Sequence, residues 1–202
     1  MRLFAIALVA ATMLAPPAAA FESVYQTLNL DKDCKAYGPS DENGDSVSLK
    51  CKGYKTYPVW FSEGDLRQSI FFGHVGDWFE AGAFESFGTF NHFGGRFEWL
   101  VEKGRAIAVI TRFFVENSED SAPAKQGQVL VVSKVGQKSA GEACVIGYVD
   151  ARANKDPNVL ARKVAAEHVK SFACRKDEPQ FYGIKGPTAG DPMRSYQGTT
   201  AN

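Results

Sequence analysis

Short apolar runs separated by polar turns fill most of the chain and predict a mostly β fold. In Ser46–Cys51 the apolar residues alternate with polar ones, which is typical of a strand with one buried face. Several short strands with frequent turns favour an antiparallel sandwich or a partly open barrel of about seven to nine strands. The predicted strands are Tyr25–Leu30, Val47–Lys52, Tyr57–Phe61, Arg67–Phe72, Arg96–Val101, Ala106–Val115, Gln128–Val135 and Cys144–Val149.

The strand Ala106–Val115 is predicted to be central in its sheet. Gly104, in the turn that precedes it, permits the positive φ of a tight hairpin with Arg96–Val101. Both faces of Ala106–Val115 are largely apolar, as expected for a strand that is covered on both sides.

One helix is predicted, over Asp156–Phe172, and it is expected to cover this sheet. Asp156 is a favourable N-cap residue, and Pro157 suits the first helical position. Apolar residues recur every four positions after Leu160, as in a helix that faces a core. The predicted fold class is therefore mostly β or α+β, with one C-terminal helix packed on the sheet.

Residues 1–20 have the pattern of a signal peptide: a basic start, the apolar run Leu3–Leu14 and small residues up to Ala20. A membrane anchor is the alternative, but the run is shorter than the ~20 residues that a spanning helix needs. No transmembrane segment is expected after cleavage. Residues 21–182 are predicted to form one β-rich domain, and residues 183–202, rich in glycine and proline, a flexible tail.

All four cysteines follow residue 20, and an even number in an exported chain predicts two disulfide bonds. Pairing of sequence neighbours is favoured, Cys34 with Cys51 and Cys144 with Cys174, because each pair brackets one compact unit. A zinc site is the alternative, and the absence of any C-x-x-C spacing disfavours it. Export and disulfides together predict a periplasmic or secreted protein.

Charge and metal-binding patterns exclude some classes of partner. The chain has 23 basic and 23 acidic residues, and this balance argues against a nucleic-acid binder. Asp41, Asn43 and Asp45 resemble the start of a calcium loop. Ser46 and Lys52 stand where that loop requires glycine and glutamate. A solvated hairpin tip is therefore expected there, and no metal or cofactor is predicted.

Phe71–Trp99 is the most unusual stretch, with ten aromatic residues and six glycines. Because glycines disfavour a helix, long loops or short irregular strands are predicted. The favoured interpretation is a lid over one end of the core. The alternative is a binding surface, since aromatic side chains supply large contact areas. The candidate partner-binding residues are Trp78, Phe79, Phe84, Phe90, His92 and Phe93.

No specific catalytic motif is present, neither G-x-S-x-G nor H-E-x-x-H nor a phosphate-binding glycine loop. The sequence favours a non-catalytic envelope domain that binds a protein or cell-wall partner, although enzyme activity stays open. The alternative is a periplasmic hydrolase with an acid–base site near His74–His92. Its candidate residues are His74, Asp77, Glu80, Glu85 and His92.

Two segments of the chain carry a resemblance: Pro58–Arg67 (PVWFSEGDLR), and Tyr148–Asn154 (YVDARAN) followed by Leu160–Arg162 (LAR). Both resemble runs in exported proteins of Gram-negative bacteria with no assigned function. The resemblance implies export to the periplasm and no particular activity. A small disulfide-braced β domain is also similar in outline to lysozyme inhibitors, an analogy of fold alone.

Overall fold

The computed structural model describes residues 21–38, 46–116 and 126–196. The predicted signal peptide and the Asp41–Asp45 segment lie outside the described residues. The elements are, in chain order, β1 (Glu22–Thr27), α1 (Leu30–Asp33), β2 (Cys34–Ala36), β3 (Ser46–Cys51), β4 (Val59–Gly64), β5 (Arg67–Phe72), α2 (Asp77–Glu80), β6 (Phe84–Phe87), β7 (Asn91–Glu102), β8 (Arg105–Val115), β9 (Gly127–Lys134), β10 (Cys144–Asp150), α3 (Pro157–His168), β11 (Gln180–Phe181) and β12 (Pro192–Ser195).

Most of the strands belong to two sheets, and neither sheet closes into a barrel. The larger sheet has six strands in the order β1-β7-β8-β9-β10-β11, and only its last pair, β10 with β11, is parallel. The smaller sheet has four antiparallel strands, β2-β3-β4-β5, and β6 pairs with β12 separately. The predicted class, mostly β with one C-terminal helix, is confirmed. Eight of the twelve described strands have six residues or more, and the four shorter ones were not predicted.

Aromatic side chains from both sheets meet in the larger core. The ring of Phe72 on β5 meets Phe97 and Trp99 on β7 edge-on, with centroids 5.1 and 5.5 Å away. Phe97 and Trp99 are fully buried, and burial of one large apolar side chain contributes about 1.5–3 kcal/mol. A second core lies between the six-stranded sheet and α3, and it includes Val164 of α3 and Ile110 of β8.

The predicted central position of the Ala106–Val115 strand is confirmed in β8. Val109 and Phe113 face the larger core, whereas Ile110 faces α3. The turn into this strand consists of Lys103 and Gly104, with φ of 50° and 76°. Positive φ at both positions is the geometry of a two-residue type I′ hairpin.

The predicted helix is confirmed as α3, although it ends at His168, four residues before Phe172. Pro157 occupies its first turn as expected. Asp156 is the N-cap residue as predicted, but its side chain makes no capping hydrogen bond. Its backbone, at φ −123° and ψ 62°, departs from the extended conformation of most N-cap residues.

Both predicted disulfide pairings are confirmed. Cys34 and Cys51 lie directly opposite each other on β2 and β3. Cys144, at the start of β10, is joined to Cys174, beyond the end of α3. These bonds indicate an oxidising environment outside the cytoplasm.

Residues 183–196 form ordered structure where the sequence predicted a flexible tail. β12 pairs with β6, with Pro192 opposite Phe87 and Ser195 opposite Phe84. Ala189 is fully buried. The prediction failed because a four-residue strand shows little periodicity, and its partner lies about a hundred residues earlier in the chain. Residues 197–202 lie outside the described residues.

The glycine-rich part of Phe71–Trp99 is also more regular than predicted, because β7 runs through it. On β7, three residues lie between the paired residues Phe93 and Phe97, namely Gly94, Gly95 and Arg96. The β8 partners of Phe93 and Phe97 are only two positions apart, so β7 has extra residues here. Gly95 has a φ of 74°, so the extra residues form a bulge instead of ending the strand.

Candidate functional site

Six of the ten aromatic residues in Phe71–Trp99 are buried and contribute to packing. They are Phe71, Phe72, Phe87, Phe93, Phe97 and Trp99. Trp78, Phe79 and Phe84 are half-buried, and Phe90 is exposed. The aromatic residues available for binding are therefore few, and they belong to the segment that contains α2 and β6.

Helix α2 packs on the outer face of the four-stranded sheet. Phe79 contacts Trp60 of β4 and Phe71 of β5, with ring centroids 5.2 and 5.4 Å away. The indole N–H of Trp78 donates a 2.8 Å hydrogen bond to the carbonyl oxygen of Gly141. Trp78 thus anchors α2, and Phe79 packs against β4 and β5 on this face of the sheet.

A groove of about 380 Å³ opens between α2–β6 and the strands β3 and β4. We call it the aromatic groove. Its apolar side chains are Leu49, Phe61, Phe79, Ala83 and Phe84, and its polar ones are Tyr37, Ser46, Ser48, Ser62, Glu63 and Glu80. The serines were not predicted as site residues, because strand periodicity assigns their segments only a structural role.

Two carboxylates of the aromatic groove are held by neighbouring side chains. The hydroxyl of Tyr37 donates a 3.1 Å hydrogen bond to Oε1 of Glu80. Desolvation, and then this bond with the charge of Glu80, raises the pKa of Tyr37, so its hydroxyl stays a donor. The side-chain amide of Gln68 donates to Glu63. The groove therefore presents apolar rings beside positioned acceptors of hydrogen bonds.

Only two of the six predicted binding residues, Phe79 and Phe84, line the aromatic groove. Phe93 is 9% exposed and packs in the larger core. His92 is exposed and stacks on Phe114, with ring centroids 5.2 Å apart. Phe90, 40% exposed, lies beneath the guanidinium of Arg67. Trp78 packs beside the groove without lining it.

The five residues considered for acid–base chemistry lie in different surroundings. Asp77 and Glu80 are exposed on α2, and His92 contacts Phe114. The ring of His74 lies beside Tyr57, with centroids 5.8 Å apart. Glu85 is 3% exposed, and a substrate in solvent has no access to it. The contacts of these residues differ from one to the next, and the hydrolase alternative stays a prediction.

Glu85 is instead the centre of a buried polar cluster. Its Oε2 accepts a hydrogen bond from the amide of Val145, and its Oε1 lies 3.2 Å from Nε of Arg194. The hydroxyl of Tyr196 donates to the same Oε1. Desolvation outweighs these contacts and raises the pKa of Glu85 to about 7. Arg194 and Tyr196 lie in the predicted tail, so the sequence did not indicate this cluster.

The described residues contain no group of three or more His, Cys, Asp or Glu side chains arranged as metal ligands. No helix in the described ranges combines the length and apolar character needed to cross a membrane. No protein-family model, curated protein or solved structure matches this chain. Fold and site define a class only: a disulfide-braced, mostly β domain with a C-terminal helix and an aromatic groove.

Proposed function

We propose that this chain is an exported, non-catalytic envelope domain that binds cell-wall carbohydrate in the aromatic groove. The observation that carries the proposal is the position of Phe79 and Phe84 beside Ser62, Glu63 and Glu80 in one open groove. The disulfides and the pattern of residues 1–20 support a location outside the cytoplasm.

The chemistry of the groove suits a ligand with an apolar face and a polar rim, as a sugar ring has. Aromatic rings such as Phe79 and Phe84 can pack on the C–H face of a sugar. The carboxylates of Glu63 and Glu80 can accept charge-assisted hydrogen bonds from its hydroxyls. An apolar protein segment would instead remove water from these carboxylates and supply no further hydrogen-bond donors, at a cost in binding free energy. Carbohydrate is therefore favoured over a protein partner.

Co-sedimentation with purified insoluble peptidoglycan tests this proposal. The chain from Phe21 onwards should sediment, and Phe84→Ala should weaken binding by about tenfold, as expected for a central aromatic contact. Glu80→Gln changes an exposed side chain and should also weaken binding while leaving the thermal unfolding midpoint unchanged. Phe90→Ala is the matched control, because Phe90 is an exposed phenylalanine outside the groove.

The result that would overturn the proposal is a wild-type chain that stays in the supernatant, or equal losses for Phe84→Ala and Phe90→Ala. Retention of a soluble envelope protein, with the same dependence on Phe84 and Glu80, would assign the groove to a protein partner instead.

A further inference from the structure

A second pocket, of about 320 Å³, lies on the outer face of the six-stranded sheet beside α3. It shares no lining residue with the aromatic groove. Three arginines line it, Arg96 from β7, Arg112 from β8 and Arg162 from α3, and we call it the arginine pocket. Glu98 is the single carboxylate among its lining residues.

The carboxylate of Glu98 is already engaged by Arg162. Nε and Nη2 of Arg162 donate to the two carboxylate oxygens at 2.6 and 3.2 Å. The hydroxyl of Ser23 donates a further 2.6 Å bond to Oε1. The bond to Glu98 raises the pKa of Arg162 despite partial burial. This pair is therefore close to neutral and leaves the other two arginines without a counter-charge among the residues that line the pocket.

Arg112 is a half-buried cation with no carboxylate partner among the described residues. Its Nη1 donates a 2.8 Å hydrogen bond to Oε1 of Gln128, which orients the guanidinium. Desolvation lowers its pKa, so the charged form is held at a cost in free energy. Arg112 lies in the largely apolar run Ala106–Val115, where an apolar side chain would satisfy the strand pattern.

Arg96 supplies the second uncompensated charge. Its guanidinium lies over the ring of Tyr25, 4.7 Å from the centroid, and the described residues offer it no carboxylate. Three guanidinium groups and one carboxylate give the arginine pocket a net formal charge of +2. An anion of charge near −2 would balance it.

We propose that the arginine pocket binds a phosphate group, either inorganic phosphate or a phosphate monoester. Such a group carries a charge of about −1.5 to −2 at neutral pH and has three strong acceptor oxygens. Guanidinium groups bind phosphate through paired N–H donors. Arg112 and Arg96 are the residues that contact it, and Arg162 holds Glu98 away from it. Asn158, in the first turn of α3, adds the positive end of the helix dipole.

Calorimetric titration of the chain from Phe21 onwards with inorganic phosphate tests this proposal at constant ionic strength. A second arm uses sedimentation with phosphatidylcholine vesicles that contain or lack phosphatidic acid, a lipid with a phosphate monoester headgroup. We expect Arg112→Gln and Arg96→Gln each to weaken binding by about tenfold or more, the loss typical of a charge-assisted contact. Arg96 is exposed, so this second variant keeps the test valid if Arg112→Gln does not fold.

Arg105→Gln is the matched control, because Arg105 is an exposed arginine at the start of the same strand and lies outside the pocket. Binding of inorganic phosphate but not of the vesicles assigns the pocket to soluble phosphate compounds. Binding of both inorganic phosphate and the vesicles that contain phosphatidic acid assigns it to a phosphorylated lipid. Absence of wild-type binding in both arms would overturn the proposal. An equal loss of binding affinity for Arg105→Gln and Arg112→Gln would also overturn the proposal, because it would indicate diffuse charge attraction.

Discussion

Oε2 of Glu85 accepts a 2.6 Å hydrogen bond from the backbone amide of Val145 at the start of β10. Glu85 itself lies on β6, and its Oε1 contacts Arg194 on β12 and Tyr196 just after it. One buried carboxyl group therefore joins three segments that are distant in sequence. Its protonation state is expected to affect the stability of the whole domain.

We expect the free energy of unfolding to decrease as the pH rises from about 4.5 to about 7. Folded Glu85 keeps its proton up to a pKa of about 7, whereas the unfolded chain releases it near the ordinary value of 4.5. Unfolding between these values releases a proton, and a higher pH therefore favours unfolding. The stabilisation from the protonated Glu85 is fully present below a pH of 4.5 and is lost as the pH rises through the folded pKa of about 7. The total loss in the free energy of unfolding is roughly 3 kcal/mol.

Urea unfolding at a series of pH values measures this change, and Glu85→Gln should remove it because the amide does not titrate. The same pH profile in both proteins would show that Glu85 is not its source.

Arg194→Met should destabilise the protein more at alkaline pH than at acidic pH. Without the guanidinium, an ionised Glu85 is buried with no cation, a defect that costs about 3–5 kcal/mol. Below its pKa the carboxyl is neutral, and the loss should be smaller. The control is Glu178→Gln: Glu178 contacts the same arginine but is 86% exposed, and such pairs contribute at most about 1 kcal/mol. Equal losses for Arg194→Met at both pH values would contradict this account.

Removal of the two disulfides should have unequal effects on stability. Cys144–Cys174 spans 30 residues and Cys34–Cys51 spans 17. Loop entropy predicts a loss of about 3–4 kcal/mol for either pair, and about 0.5 kcal/mol more for the longer loop. Cys144 and Cys174 are also both buried, whereas Cys34 is half-buried. Urea unfolding of the two double alanine variants compares them, and a larger loss from the shorter loop would refute this prediction.

Export should remove residues 1–20, so that the mature chain begins at Phe21. Phe21 packs against the core beneath α3 and suits a domain boundary at this position. Intact-mass analysis of protein recovered from the periplasm or medium tests this cleavage. A recovered mass that includes residues 1–20 would contradict it.

Local patterns predicted most of the fold because they report interactions between near neighbours in the chain. The strand at Arg67–Phe72 was predicted with its observed bounds, and the turn at Gly104 was placed correctly. Cysteine number and spacing favoured both disulfides. The short β6–β12 pair was missed because neither strand has a pattern of its own, and each depends on a distant partner.

The sequence by itself determined the fold class, the disulfide framework and the aromatic content of Phe71–Trp99. Only the tertiary structure decided which of those rings are buried, that Glu85 meets Arg194, and that three arginines surround one pocket. Strand periodicity and turn chemistry act over a few residues and are visible in the chain. Burial, desolvation and charge balance depend on contacts between distant segments, and these exist only once the sheets have packed together.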